Sequence, residues 1–156
     1  MTETNQWPAL PFADWADTYA TLHMWTQIVG KVRLALTPLV NHWWNVPLYV
    51  TPRGLSTSSI PYRDRLFDIE FDFLGHRVYI RDSSGNSKYI ALRPQSVAAF
   101  YVEYLDLLRS LDIDAKINPK PVEISDPIPF PEDHQHASYD KEFAYRFWCI
   151  LSRCDT

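Results

Sequence analysis

The chain has 156 residues, 46 % of them apolar and 15 % aromatic, with six tryptophans and a formal net charge of −4. One domain of that length, 1–156, buries roughly two thirds of its unfolded surface without help from a metal or a disulfide. The acidic balance lacks the basic stripe of a nucleic-acid binder, no apolar run approaches the ~18–20 residues that span a bilayer, and the polar opening Met1 to Gln6 has no signal-peptide pattern. The expectation is a cytoplasmic protein with no nucleic-acid and no membrane partner.

Residues 1–13 read as an extended arm set by Pro8 and Pro11. A helix is predicted over 14–36. At about 100° per residue, Trp25, Ile28, Val29, Val32 and Leu36 share one face, flanked by Trp15 and Leu22. His23, Gln27 and Lys31 stack on the opposite face at i, i+4 and i+8, as a solvated stripe or as the lining of a ligand groove. Pro38 stops the helix.

A strand is predicted over 43–50, at a sheet edge because Pro47 interrupts it. Neighbours in a strand point to opposite faces, so one of Trp43 and Trp44 should enter the core. The other, beside His42 and Arg53, would stack on a flat ligand or anchor a partner. Residues 52–62, rich in Ser and Thr, read as a loop.

Residues 67–73 alternate strictly, with Phe67, Ile69, Phe71 and Phe73 inward and Asp68, Glu70 and Asp72 outward. A two-residue turn at Gly75-His76 would set Phe73 opposite Val78, Phe71 opposite Ile80 and Glu70 opposite Arg81. Arg77 and Arg81 emerge on the acidic face, so cross-strand ion pairs account for the carboxylate row. A turn at 83–86 and a strand at 88–92 close a meander. A second helix is predicted over 97–111 behind a Ser96 cap, with Val97, Phe100, Tyr101, Tyr104, Leu108 and Leu111 as its buried stripe. A short strand follows at 115–117 or 122–124. The stretch 118–137 is Pro-rich and extended. A third helix starts at a Ser138 cap, with Phe143, Phe147, Ile150, Leu151 and Cys154 along one side. Cys149 and Cys154 are read as reduced thiols.

The fold class is therefore α+β, an antiparallel sheet of three to five strands with three helices packed on it, in the order α-β-β-β-(β)-α-β-α. Catalytic signatures are missing from the chain: there is no G-x-S-x-G, and four glycines build no phosphate-cradling loop. No catalytic residue and no organic cofactor are assigned. Asp133, His134 and His136 are the metal candidates, because two imidazoles and a carboxylate suit a divalent transition ion, although H-x-H alone is a weak pattern.

Several words of the sequence carry a resemblance. They are Trp7-Pro8-Ala9-Leu10-Pro11-Phe12, Thr21-Leu22-His23-Met24-Trp25-Thr26-Gln27-Ile28-Val29-Gly30-Lys31, Asn41-His42-Trp43-Trp44, Val46-Pro47-Leu48-Tyr49-Val50, Asp126-Pro127-Ile128-Pro129-Phe130 and His136-Ala137-Ser138-Tyr139-Asp140. The chain resembles the N-terminal part of the bacterial domain-of-unknown-function family 5996. The resemblance brings no activity or cofactor. It implies that longer members continue past the point matching Phe147-Trp148, so that this chain resembles a shortened one whose exposed apolar surface favours self-association. The leading expectation is a non-enzymatic binding or scaffolding module that forms a homodimer through the Trp43/Trp44 region or the third helix. The alternatives are a metal-dependent hydrolase built on Asp133, His134 and His136, and a small-ligand binder using a Trp platform and the His23/Gln27/Lys31 face.

Overall fold

The computed structural model of the chain describes residues 7–155; the first half of the expected arm lies outside them. Helix α1 is Phe12–Leu36 and begins two residues early, because the extended backbone of Pro11 (φ −60°, ψ 127°) already serves as its N-cap. Trp15, Leu22, Trp25, Ile28, Val29 and Val32 are buried as expected. Thr18 and Thr21 are buried too. Their hydroxyls accept the backbone N–H groups of Asp140 (3.0 Å) and Ser138 (3.1 Å), which lays the chain before the last helix against α1.

Among the described residues six antiparallel strands follow: β1 (Tyr49–Thr51), β2 (Gly54–Ser56), β3 (Ile60–Tyr62), β4 (Arg65–Asp72), β5 (Arg77–Asp82) and β6 (Ser87–Ala91). Their order is β1-β2-β4-β5-β6, with β3 pairing the other end of β4. The expected loop at 52–62 thus contributes two strands. Together they form one broken edge along β4, kinked at Ser58 (φ 61°). Thr57 bridges the break: its N–H donates to Ile69 O (2.9 Å) and its hydroxyl accepts from Ile69 N–H (3.0 Å). Pro61 is tolerated because it lies on that edge. A Cβ at Gly54 would sit 1.8 Å from Phe71 O, so only glycine lets β2 approach β4.

The expected strand over 43–50 shrinks to β1. Asn41–Trp43 is instead a single 3-10 turn, with His42 (φ 54°) and Trp43 (φ 62°) in the left-handed region. Asn45, not an indole, anchors this stretch; it is buried and its amide donates to Thr37 Oγ1 (2.9 Å). Neither tryptophan enters the core: Trp43 is 60 % and Trp44 64 % exposed.

The β4–β5 turn is longer than expected. Asp72 Oδ1 accepts the N–H groups of Leu74 and Gly75 (2.9 Å each), and the register is Phe71 with Val78, Ile69 with Ile80 and Asp68 with Arg81. A two-residue offset leaves every side chain on its predicted face. Helix α2 is Val97–Arg109, capped by Ser96, whose hydroxyl accepts Ala99 N–H. No strand forms at 115–117 or 122–124. Pro119 and Pro121 have no N–H to give a ladder, and the one regular turn described in that stretch is Phe130–Glu132. Helix α3 is Lys141–Cys154; its cap is Asp140, which accepts the N–H groups of Glu142 and Phe143, rather than Ser138, whose N–H is already held by Thr21.

The fold is α+β. The inner sheet face, with Phe67, Ile69, Phe71, Val78, Ile80 and Ile90, packs on α1 and α2. Trp25 stacks on Phe100 (4.8 Å) and Phe100 on Tyr104 (5.8 Å). Helix α3 is peripheral. It buries only Ala144 and leans on α1 and β1 through Phe147 against Trp15 (5.2 Å) and Trp148 Nε1–H to Thr51 O (3.0 Å). No described helix is long and apolar enough to cross a membrane.

Candidate functional site: a groove along α1

The stripe His23, Gln27, Lys31 is half-buried, not solvated. Val46 and Leu48, leading into β1, wall it on one side; Val122 and Glu123 of the Pro-rich stretch wall it on the other. Together with Leu34 they border an open cleft of about 410 Å³. A second cavity of about 240 Å³ adjoins it, lined by Trp15, Tyr19, Leu22, Leu55 and Phe147. His23, Thr26 and Leu48 line both. The result is one groove, running from Trp15 to Leu34 along roughly 28 Å of helix.

Gln27 holds the far wall. Its Oε1 accepts Val122 N–H (2.9 Å) and its Nε2–H donates to Val122 O (2.8 Å). The amide orientation is thereby fixed, because the Val122 N–H must meet an oxygen. The second Nε2 proton then faces His23 Nε2 at 3.1 Å, so that nitrogen is the acceptor and His23 carries its proton on Nδ1. The His23 ring stacks on Tyr19 (6.0 Å).

Lys31 differs from every other polar group of the groove. Burial lowers the pKa of its ammonium, and no carboxylate pairs with it among the described residues. Glu123 lines the same cavity but sits exposed on a left-handed turn (φ 59°), without an ion pair among the described residues. The groove is thus apolar along most of its length, with one incompletely hydrated cation at one end.

The other candidates go elsewhere. Arg53 is locked to Asp72 by its Nε (3.0 Å) and Nη2 (2.7 Å). Burial pushes the Asp72 carboxyl up, but the Gly75 N–H, Arg53 and the Leu74 N–H together outweigh it and hold the pKa below the usual range. The outer sheet face is less solvated than expected, with Glu70 and Asp72 buried. The predicted ion pairs form at Arg81, which reaches Asp68 (2.8 Å) and Glu70 (2.6 Å). Arg77 instead lies 4.3 Å over the Tyr89 ring and donates to Tyr79 Oη. A dent of about 430 Å³ beside this face is walled by serines, Asp68, Arg81 and Asp82, whose charges are already paired.

His42, Trp43 and Trp44 stand together on their exposed loop, the His42 and Trp44 rings 6.5 Å apart. Asp133 is buried and caps its own loop: Oδ1 accepts the N–H groups of Gln135 and His136 (3.1 Å each), and Oδ2 meets His136 Nδ1 at 2.7 Å. His134 is exposed and lines a separate surface depression with Pro131 and residues of α2 such as Val102. Among the described residues no group of three or more His, Cys, Asp or Glu side chains is placed to hold a metal ion.

Sequence reasoning misses the walls of the groove. Leu48, Leu55, Val122 and Phe147 come from four separate stretches, and no local pattern marks them. It also misses His76 Nδ1 against Tyr139 Oη (2.8 Å), a contact between residues 63 positions apart. Burial pushes the Tyr139 hydroxyl pKa well up, and burial followed by the Lys141 charge lowers that of His76.

No curated protein matches the chain, and no solved structure does. A sequence family described as "Family of unknown function (DUF5996)" matches residues 7–156. That span takes in α1, both walls of the groove and all six strands, and the chain therefore belongs to the DUF5996 family.

Proposed function

We propose that the chain is a binding module for a small ligand and that the α1 groove is its site. The observation that carries this reading is the shared lining of the two cavities. His23, Thr26 and Leu48 join a mostly apolar trough to an end bearing a half-buried, unpaired Lys31. Concave, largely apolar sites with a few convergent polar groups are the usual form of small-molecule sites. Trp15 lies in the trough, so its fluorescence reports occupancy. Titration with a library of apolar acids, aromatics and sugars should find compounds that change that emission and raise Tm. Thr26→Trp, which fills the neck between the cavities, should abolish both effects while keeping the fold. A library without a hit, or hits indifferent to Thr26→Trp, would count against the site.

A second reading rests on a separate observation. Leu39, Val40, Trp43 and Trp44 are 70 %, 46 %, 60 % and 64 % exposed within six residues of chain. Contiguous exposed apolar side chains mark contact surfaces, and a second copy of the chain would bury them as a homodimer. Light scattering after size exclusion should then give a dimer that Trp43→Ser/Trp44→Ser returns to monomer. A monomer at high concentration removes this reading.

A further inference from the structure

We propose that the groove takes an amphipathic monocarboxylate, its carboxylate on Lys31 and its apolar body running past Leu48 toward Trp15 and Phe147. The inference rests on the groove being a binding site and adds the class of ligand.

His23 Nε2 is taken up by Gln27, and both polar atoms of the Gln27 amide are engaged with Val122. The lining holds one lysine, Lys31, one carboxylate, Glu123, and no arginine or aspartate. Glu123 is exposed and stays hydrated, whereas Lys31 is half-buried, so the cation is the less screened of the two and sets the field within the groove. A ligand anion at Lys31 would restore the solvation that burial removes.

A single ammonium also limits the charge of the head group, for the lining holds no arginine and no helix N-terminus. A phosphate dianion needs more donors than this; one carboxylate is matched by one ammonium. The rest of the lining settles the body of the ligand. Trp15, Leu22, Leu48, Leu55 and Phe147 present no charge and little hydrogen-bonding capacity. From Lys31 to Trp15 the helix rises about 24 Å, which suits an elongated body, not a compact one.

The test compares decanoate with decan-1-ol, followed by calorimetry. Decanoate should bind about tenfold more tightly than the alcohol. Lys31→Met, which keeps the stem and removes the charge, should erase that preference and leave alcohol binding as it was. Glu123→Gln should strengthen decanoate about twofold. Thr26→Trp should block both probes. Equal binding of acid and alcohol, or a preference that survives Lys31→Met, overturns the ligand class while the groove stands. If neither probe binds, the inference falls; the groove itself then falls only if the wider library also finds nothing that Thr26→Trp blocks. Unchanged circular dichroism and Tm for Lys31→Met separate a lost charge from a lost fold.

Discussion

Gln27→Leu isolates the clamp that holds the groove's outer wall. The substitution removes two hydrogen bonds to the backbone of Val122, at 2.8 and 2.9 Å, and the contact that keeps His23 Nε2 as an acceptor. Each such bond contributes about 0.5–1.5 kcal/mol net. Val122 is 54 % exposed, so its freed N–H and C=O can be hydrated, and the lower end applies. The sum is about 1 kcal/mol, felt locally, because leucine matches glutamine in helix propensity. Hydrogen exchange at the Val122 amide should therefore speed up about fivefold, while amides of the α1 core such as Ile28 keep their protection. Tm should move by less than about 3 °C. Binding of any groove ligand should weaken, since one wall is loosened. Unchanged exchange at Val122 would show that the clamp holds nothing. Loss spread equally to Ile28 would show that wall and core form one cooperative unit, which contradicts a locally held wall.

Asp133→Ala strips a buried acceptor from two backbone N–H groups and an imidazole; urea unfolding should show a loss of about 2 kcal/mol and Tm should fall by about 4–8 °C. Asp133→Asn keeps one acceptor oxygen and should cost about half as much. Acid should destabilise the fold in two steps. The folded-state pKa of His76 lies below 6.5, owing first to burial and then to Lys141, so the unfolded chain takes up that proton first and stability drops as pH falls through the window below 6.5. Asp72 lies below 3.8 when folded, so its contribution is complete above the unfolded value and vanishes as pH falls through the folded one. Urea midpoints across pH 7.5 to 3 should show both steps, with His76→Gln removing the first and Asp72→Asn reducing the second, to which Asp82, held low first by its hydrogen bond from Asn86, also contributes. A flat profile would contradict both assignments.

The alternating strands are legible in the sequence because burial on one face enforces the alternation. Phe67 to Phe73 and Val78 to Ile80 lie where their period puts them, even though the register between them is offset by two residues from the one a tight turn implies. The region 41–62 is not legible. Its pairing depends on Asn45 tying down a loop and on Thr57 bridging a broken strand, and neither polar contact leaves a periodic trace. The site divides the same way. His23, Gln27 and Lys31 share a helical face by arithmetic alone, so their grouping is visible. That the face is walled depends on Leu48, Val122 and Phe147, brought in by tertiary packing. Closeness in sequence groups Arg53 and His42 with the tryptophans; in the fold Arg53 belongs to Asp72 and the indole pair faces out.

A ¹H–¹⁵N correlation titration of the full chain with decanoate puts the groove to its sharpest test. Saturable shifts should centre on His23, Thr26, Lys31, Leu48 and Val122, and decan-1-ol should reproduce them except at Lys31 and its neighbours. Shifts confined to the 39–44 loop would contradict a site on α1. So would the absence of any shift at ligand concentrations of about 1 mM, which would put the binding free energy weaker than about −4 kcal/mol.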